Sequence, residues 1–312
     1  MSGSLLEIRK KIGGVKNTRK ITKAMQLVAA SKMRQFQKKA MSVREYTHDL
    51  LKVMVENKFD QQVLSKYMTK REAGPTLFVL YTSDKGLCGG LNVKLTKALI
   101  NSKLWQETPA DDRLLITIGR KSHDFAKSNK IPVALSFNGV PERISNFEML
   151  NIVDKILDFW RKELCKEIHF IAPHYKNSFT FYPVRKVYLP FSVSMLAQHL
   201  GSQEELLSEL TKTETEAEAE LENYRLKRDL MLYNPNKERV VERLHEQIVE
   251  NLFMQSFMEL KAAEYSSRMI AMQNATDAAD RMIKELSLTY NKARQAAITR
   301  EIAELSGAMS AI

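Results

Sequence analysis

An α/β fold is what this sequence predicts: two long helices at the chain ends, with a domain of alternating strands and helices inserted between them. Three observations carry it. No glycine or proline occurs from Val15 to Ala73 or from Asn236 to Ser306, while most of the 11 glycines and all 8 prolines fall between Gly74 and Pro235. Both breaker-free stretches carry apolar residues at alternating spacings of four and three. The middle segment switches repeatedly between short apolar runs and amphipathic ones.

The first helix has a seam at Ile8, Ile12, Val15, Arg19, Thr22, Gln26, Ala29, Met33, Phe36, Ala40 and Val43. Arg19, Thr22 and Gln26 are polar where apolar residues pack best, and Gly13-Gly14 is expected to loosen the first turns. The second helix repeats the pattern at Ala279, Ile283, Leu286, Tyr290, Ala293 and Ala297. Helices of about 55 and 70 residues reach roughly 80 and 105 Å at about 1.5 Å per residue. The middle domain cannot cover such lengths, so the helices pair with each other or lie inside a partner.

Between them, LFVLYT (77–82) reads as a buried strand, GLCGG (86–90) as a turn and LNVKLTKALINS (91–102) as a helix. A strand and turn follow at LLITIG (114–119), a helix at RKSHDFAKSN (120–129) and a strand at VALSF (133–137). The stretch 144–165 reads as an amphipathic helix with Phe147, Leu150, Val153, Leu157 and Trp160 on one side. EIHFIAP (167–173) and SFTFYPVRKVYLP (178–190) read as closing strands, giving a mainly parallel, Rossmann-like sheet. The expected domains are a helix over 1–73, the α/β domain over 74–200, an acidic connection over 201–235 and a second helix over 236–312.

With 44% apolar and 27% charged residues, the 312-residue chain has the composition of a folded protein. No stretch approaches the roughly 18 apolar residues of a bilayer span, and MSGSLLEIRKK has no signal-peptide core. Two distant cysteines, Cys88 and Cys165, argue against a disulfide framework or zinc site. The net charge of +11 is segmental: eleven Lys/Arg against Glu7 in residues 1–40, then eight Glu and one Lys in 202–222. The basic residues fall on several helical faces with Phe36 as the sole aromatic among them, which is poor material for a nucleic-acid site.

SDKGLCGG follows a strand but has neither the G-x-G-x-x-G spacing of a dinucleotide fold nor the Lys-Ser/Thr of a phosphate loop. A structural turn is the favoured reading, with Cys88 a small buried residue rather than a reactive thiol. His169 and His174 have metal-like spacing without a partner motif, and His169 alternates with apolar neighbours like a packed strand residue. A nucleotide-using enzyme and a basic coiled-coil protein that binds nucleic acid stay as alternatives. Stoichiometric ATP binding lost on altering Gly89 and Gly90 marks the first; salt-sensitive DNA binding marks the second.

KNTRKITKAMQLVAASKMRQ (16–35) closely resembles the N-terminal signature of F-type ATP synthase γ subunits. The resemblance continues at TSDKGLCGGLN (82–92), at NPNKERVVERLHEQIVENL (234–252) and through 262–308. It implies an asymmetric antiparallel coiled coil of the two terminal helices inside a hexamer of α and β subunits. The α/β domain is then expected below, with the ε subunit, on the membrane c-ring. It also implies no active site, cofactor, small-molecule substrate or nucleic-acid partner for this chain. The expected role is coupling of proton or sodium flow to ATP synthesis or hydrolysis on β, from the cytoplasmic face of a bacterial inner membrane or, alternatively, the mitochondrial matrix face. Met1 without a transit peptide favours a bacterial or organelle-encoded protein.

By that resemblance Lys20, Lys23 and Met25 match the segment facing acidic tips of β, and Arg268 on the opposing helix matches a position close to the methionine. Arg294, Gln295 and Thr299 match a segment with polar contacts to a β loop, and ELSGAMSAI suits a tip in an apolar collar. Tyr233 and Asn234 fall where ring contacts are expected, although Asn234 replaces the expected acid. The acidic stretch 202–222 is longer than the family pattern, and the cysteine-bearing regulatory insert of chloroplast members is missing, so no thiol switch is expected.

Overall fold

The computed structural model describes residues 2–56, 67–140, 144–175, 180–190 and 233–310. The acidic stretch 202–222 lies outside them. The chain divides into two compact units. One comprises Met1–Lys32, Leu87–Gly89 and Tyr265–Ile312; the other comprises Met33–Gly86 and Gly90–Glu264. Two helices contribute to both: α1 (Ser2–Glu56, 55 residues) and α6 (Lys237–Ser310, 74 residues). Their lengths match those expected from the breaker map. Helix α1 runs unbroken through Gly13 and Gly14, against expectation. About 1 kcal/mol of propensity lost at each glycine is small beside the tertiary packing of a long seam.

In the larger unit the sheet has the order β3-β2-β1-β4-β5. The strands are β1 (Thr76–Tyr81), β2 (Arg113–Ile118), β3 (Leu135–Phe137), β4 (Glu167–Tyr175) and β5 (Phe181–Leu189). All neighbours are parallel except β4 and β5. Central β1 is buried along its whole length, as a strand covered on both faces must be. Phe78 points to one face, meeting Trp105 edge-on at 4.9 Å. Tyr81 points to the other, against Phe257 of α6 at 5.4 Å. Phe170 also meets α6 through Phe253, and the Tyr188 hydroxyl donates to the Val249 carbonyl.

The remaining helices are α2 (Leu91–Ile100), α3 (Lys103–Glu107), α4 (Arg120–Ser128) and α5 (Asn146–Arg161), with a 3₁₀ turn at Ala110–Asp112. Helix α3 was not legible beforehand; Ser102 caps it, accepting from the Trp105 amide, and it delivers Trp105 to the core. Helix α5 starts at a capping box in which Ser145 and Glu148 satisfy each other's amides. Its expected apolar side is corrected: Val153, Leu157 and Trp160 are buried, but Phe147 is 73% exposed and Leu150 is exposed too. Met149, Ile152 and Ile156 take the inner positions instead.

Helix α6 is buried on nearly every side from Leu252 to Arg268, although Gln255, Glu259, Lys261, Glu264 and Arg268 in that span are polar or charged. Upstream, His245 is also buried, and desolvation pushes its imidazole down to about 4 from 6.5. The unfolded chain therefore takes up a proton near pH 6.5 that the folded chain refuses until about pH 4. Stability should fall across that window by up to about 3 kcal/mol and level off below it. Unfolding midpoints measured from pH 7 to 4 should slope downward in the native chain and be flatter in His245→Gln. Parallel slopes in the two proteins would rule His245 out as the cause.

Candidate functional site

The smaller unit is an antiparallel helix pair, and its register is fixed by polar contacts. Thr22 and Thr276 share a buried hydroxyl hydrogen bond of 2.8 Å. Arg19 Nε donates to Asp280 Oδ1 at 2.5 Å, and Lys32 Nζ lies 5.4 Å from the centre of the Tyr265 ring. Residue numbers rise on α1 as their partners fall on α6. Carried along both helices at equal rise, the threonine pair sets Ile8 level with Tyr290, Ile12 with Leu286 and Val15 with Ile283. Two seams read separately from sequence are thus complementary, and each residue named in those three pairs is half-buried. Two of the three polar seam positions find partners across the pair, Arg19 a carboxylate and Thr22 a hydroxyl, while Gln26 accepts from Lys23 on its own helix.

On this frame Lys20 and Lys23 are exposed, with Lys23 Nζ 3.2 Å from Gln26 Oε1. Met25 is half-buried. Arg268 is buried, its guanidinium 5.3 Å from the centre of the Tyr265 ring. The register sets Arg268 level with Ala30, about five residues or roughly 7 Å along the axis from Met25. Arg294, Gln295 and Thr299 are exposed on α6, and the Thr299 hydroxyl is turned back to the Gln295 carbonyl at 3.0 Å. Tyr233 is half-buried and Asn234 exposed, just ahead of the Asn236 side chain that accepts from the Arg239 amide at the start of α6.

Large apolar side chains stand on the outside of this helix pair: Leu6, Ile21, Leu27 and Val28 on α1, Met282 and Leu288 on α6. By this register Ser2, where α1 begins, is level with Ala296. Among the described residues α6 continues past that level to Ser310, and Ile298, Ile302 and Leu305 are exposed, Leu305 at 67%. The helix pair thus bears bare apolar side chains, those from Ile298 to Leu305 over about 10 Å of α6 among them, and these are material for a partner surface, not for solvent. Its exposed cations, among them Lys10, Lys11, Lys16 and Lys20, spread around α1 and suit a partner lined with carboxylates.

The α/β unit has no built catalytic site among the described residues. In this strand order the ligand crevice of an α/β fold opens at the ends of β1 and β4. Here Tyr81, at the end of β1, is sealed under Phe257, and burial together with the charges of Glu264 and Asp84 raises its phenol well above the usual value. The glycine-rich turn is held by its own polar groups. Asn92 and Ser83 bond reciprocally, and Asp84 Oδ1 accepts from the Arg120 and Gly139 amides at 2.9 and 2.8 Å. Leu87–Gly89 cluster with the helix-pair unit, where Gly89 (φ 57°) brings its Cα side toward the Ser267 carbonyl. The positive φ rather than any lack of space is what favours glycine there, and Cys88 beside it is buried. His169 is packed on Phe78, bonded to Glu167 at 2.8 Å and accepting from Arg185 at 3.0 Å; burial lowers its pKa.

Sequence reasoning missed a further cluster: a buried carboxylate, Glu259, ringed by donors. No seam position marks it, and a polar residue on an otherwise buried helix gives no periodic signal.

A family profile described as ATP synthase matches residues 4–312. The chain is 32% identical to the ATP synthase gamma chain of Streptococcus agalactiae serotype Ia, over the whole of both chains. It is 33% identical to that of Symbiobacterium thermophilum, over 98% of this chain and 97% of the other. Among solved structures, a chain of the Euglena gracilis mitochondrial ATP synthase OSCP/F1/c-ring assembly aligns with 100% of this chain and 95% of its own, at TM-score 0.62 and 18% identity. A chain of the Tetrahymena thermophila central stalk and c-ring aligns over 82% and 99%, at TM-score 0.54 and 21% identity. With a full-length match at this identity and the helix pair, insert and order of elements in agreement, the chain belongs to the ATP synthase gamma chain family.

Proposed function

We propose that this chain is the turning stalk of an F-type ATP synthase, passing rotation between a membrane rotor and catalytic subunits while doing no chemistry itself. The carrying observation is a long antiparallel helix pair whose outer face bears exposed apolar side chains on both helices, Ile298, Ile302 and Leu305 among them. As a gamma chain it is a non-catalytic stalk subunit; its relatives carry the same name along the full length. The proposed partners are a hexamer of α and β subunits around the helix pair, and the ε subunit and c-ring at the α/β unit. No described helix is long and apolar enough to cross a membrane. The chain is proposed to reach the membrane through its partners, at the cytoplasmic face of a bacterial inner membrane.

The mechanism follows from differential contact. A shaft with unlike faces favours a different β conformation at each angle, and only such a difference can shift nucleotide affinity. Lys20, Lys23, Met25 and Arg268 are the proposed contact with the acidic tips of β; Arg294, Gln295 and Thr299 are the proposed contact nearer the free end. Exposed ion pairs such as Lys20 and Lys23 can form are worth only about 0–1 kcal/mol each, which lets the shaft move on rather than stick. Tyr233 and Asn234 are the proposed approach to the ring.

Reconstitution with purified α and β subunits tests the reading. One copy of this chain per six partners, with strongly raised ATP hydrolysis, is the expected result. Failure to form that complex, with nucleotide or DNA bound by the chain alone, would refute it. Met25→Lys is expected to lower proton pumping per ATP several-fold while leaving assembly intact, because an added cation beside Lys20 and Lys23 overstrengthens a passing contact. Normal pumping per ATP in that variant would remove Met25 from the contact.

A further inference from the structure

We propose that Glu259 is a positioning residue for coupling: a charged anchor that sets the rotational position of α6 against α1 and the β4–β5 edge. The proposal rests on the stalk reading above. Glu259 sits on α6 with its side chain 3% exposed. Groups from three other elements converge on it. Arg44 of α1 donates to Oε1 at 3.3 Å, His174 Nδ1 of β4 lies 3.4 Å from Oε2, and the Tyr175 amide points to Oε2 at 3.5 Å. From its own helix Gln255 Nε2 donates to Oε1 at 2.9 Å. Lys186 of β5 is coupled to the same charge: Glu259 raises its amine against the burial that lowers it. Beside the node, Gln37 of α1 donates to the Tyr175 hydroxyl at 2.5 Å.

The surrounding core is aromatic and aliphatic, with Phe253 and Phe257 packed on the sheet. Such burial is strong but non-directional, so it holds a helix against a sheet without fixing its angle. A carboxylate with donors on both oxygens is satisfied at one setting only. Donors on both oxygens and nearby cations hold Glu259 down at about 2, against burial that pushes it up, so it stays charged at any working pH. Both terminal helices and two strands meet at this one charge, which adds a directional contact to the aromatic ones between α6 and the sheet. Buried charge clusters add little net stability over well-packed apolar groups, so orientation is the role that accounts for this one.

The test uses the full complex in vesicles, reading ATP hydrolysis and proton pumping together with the unfolding midpoint of the chain. Glu259→Gln strands Arg44 and Lys186 and is expected to lower both stability and coupling. The decisive variant replaces the carboxylate together with its two permanent cations, leaving the neutral Gln255 and the His174 imidazole: Arg44→Met, Lys186→Met and Glu259→Met together. It is expected to fold with a midpoint within about 5 °C of the native chain, to assemble and hydrolyse ATP within about twofold, and to pump at least threefold fewer protons per ATP. Native pumping per ATP in the folded triple variant overturns the anchor. So does a triple variant that no longer folds, because the node would then be a stability element. A native chain that forms no complex with α and β sinks the stalk reading, and the anchor's place in coupling with it.

Discussion

Gly119→Ala should be among the most damaging single substitutions in this chain, costing at least about 3 kcal/mol of folding free energy. Gly119 joins β2 to α4 at φ 94°, a region closed to side chains, and a Cβ built there would sit 2.2 Å from the Thr82 carbonyl oxygen. That oxygen belongs to backbone pinned on both sides. The Thr82 amide donates to Ile118, and Thr82 Oγ1 accepts from the Ser122 amide at 2.7 Å at the start of α4. Relief would require separating the ends of β1 and β2, the pair at the middle of the sheet. Urea unfolding of the variant should show the midpoint collapse with little change in slope. A loss below about 1 kcal/mol would mean that the two strand ends can part cheaply.

Trp160→Ala should cost about 3–5 kcal/mol from the cavity alone. Trp160 is fully buried at the end of α5, and the Arg71 guanidinium stacks 3.9 Å from its ring centre while donating to the Cys165 carbonyl at 3.0 Å. A half-buried cation over an indole adds about 1 kcal/mol that alanine also forfeits. Trp160→Phe keeps most of the area and a weaker face for the cation, so it should fall well between the two in equilibrium unfolding. Equal losses for Phe and Ala would make ring size irrelevant and the stacking argument wrong.

The seams were legible because a coiled coil repeats one requirement over many turns, and ten of the eleven α1 positions from Ile8 to Val43 are buried or half-buried. The exception, Arg19, is paired with Asp280, a contact 261 residues away that no local pattern announces. The sheet was legible because β1, β2 and β4 are short apolar runs between breakers. Helix α5 was read only in part: Phe147, Met149, Leu150, Ile152, Val153, Ile156, Leu157 and Trp160 form so wide an apolar arc that periodicity cannot say which edge is covered. Residues 20–25 and 294–299 were singled out by resemblance, not by physics; isolated exposed lysines and a threonine carry no signal of their own. The Glu259 node was invisible for the opposite reason, since its donors come from Arg44, His174, Tyr175 and Gln255, which only the fold assembles.

The pairing of α1 with α6 also dictates the order in which the chain can mature. Helix α1 leaves the ribosome first, yet Thr22 waits for Thr276 and Arg19 for Asp280, separations of 254 and 261 residues. The sheet face carrying Tyr81 and Phe170 likewise waits for Phe257 and Phe253. At about 5–20 residues per second the delay is roughly 10–50 seconds, during which a long apolar seam and an aromatic sheet face lie open in the nascent chain. Completion of this fold is therefore gated by synthesis of its last quarter, since both surfaces close only when α6 emerges.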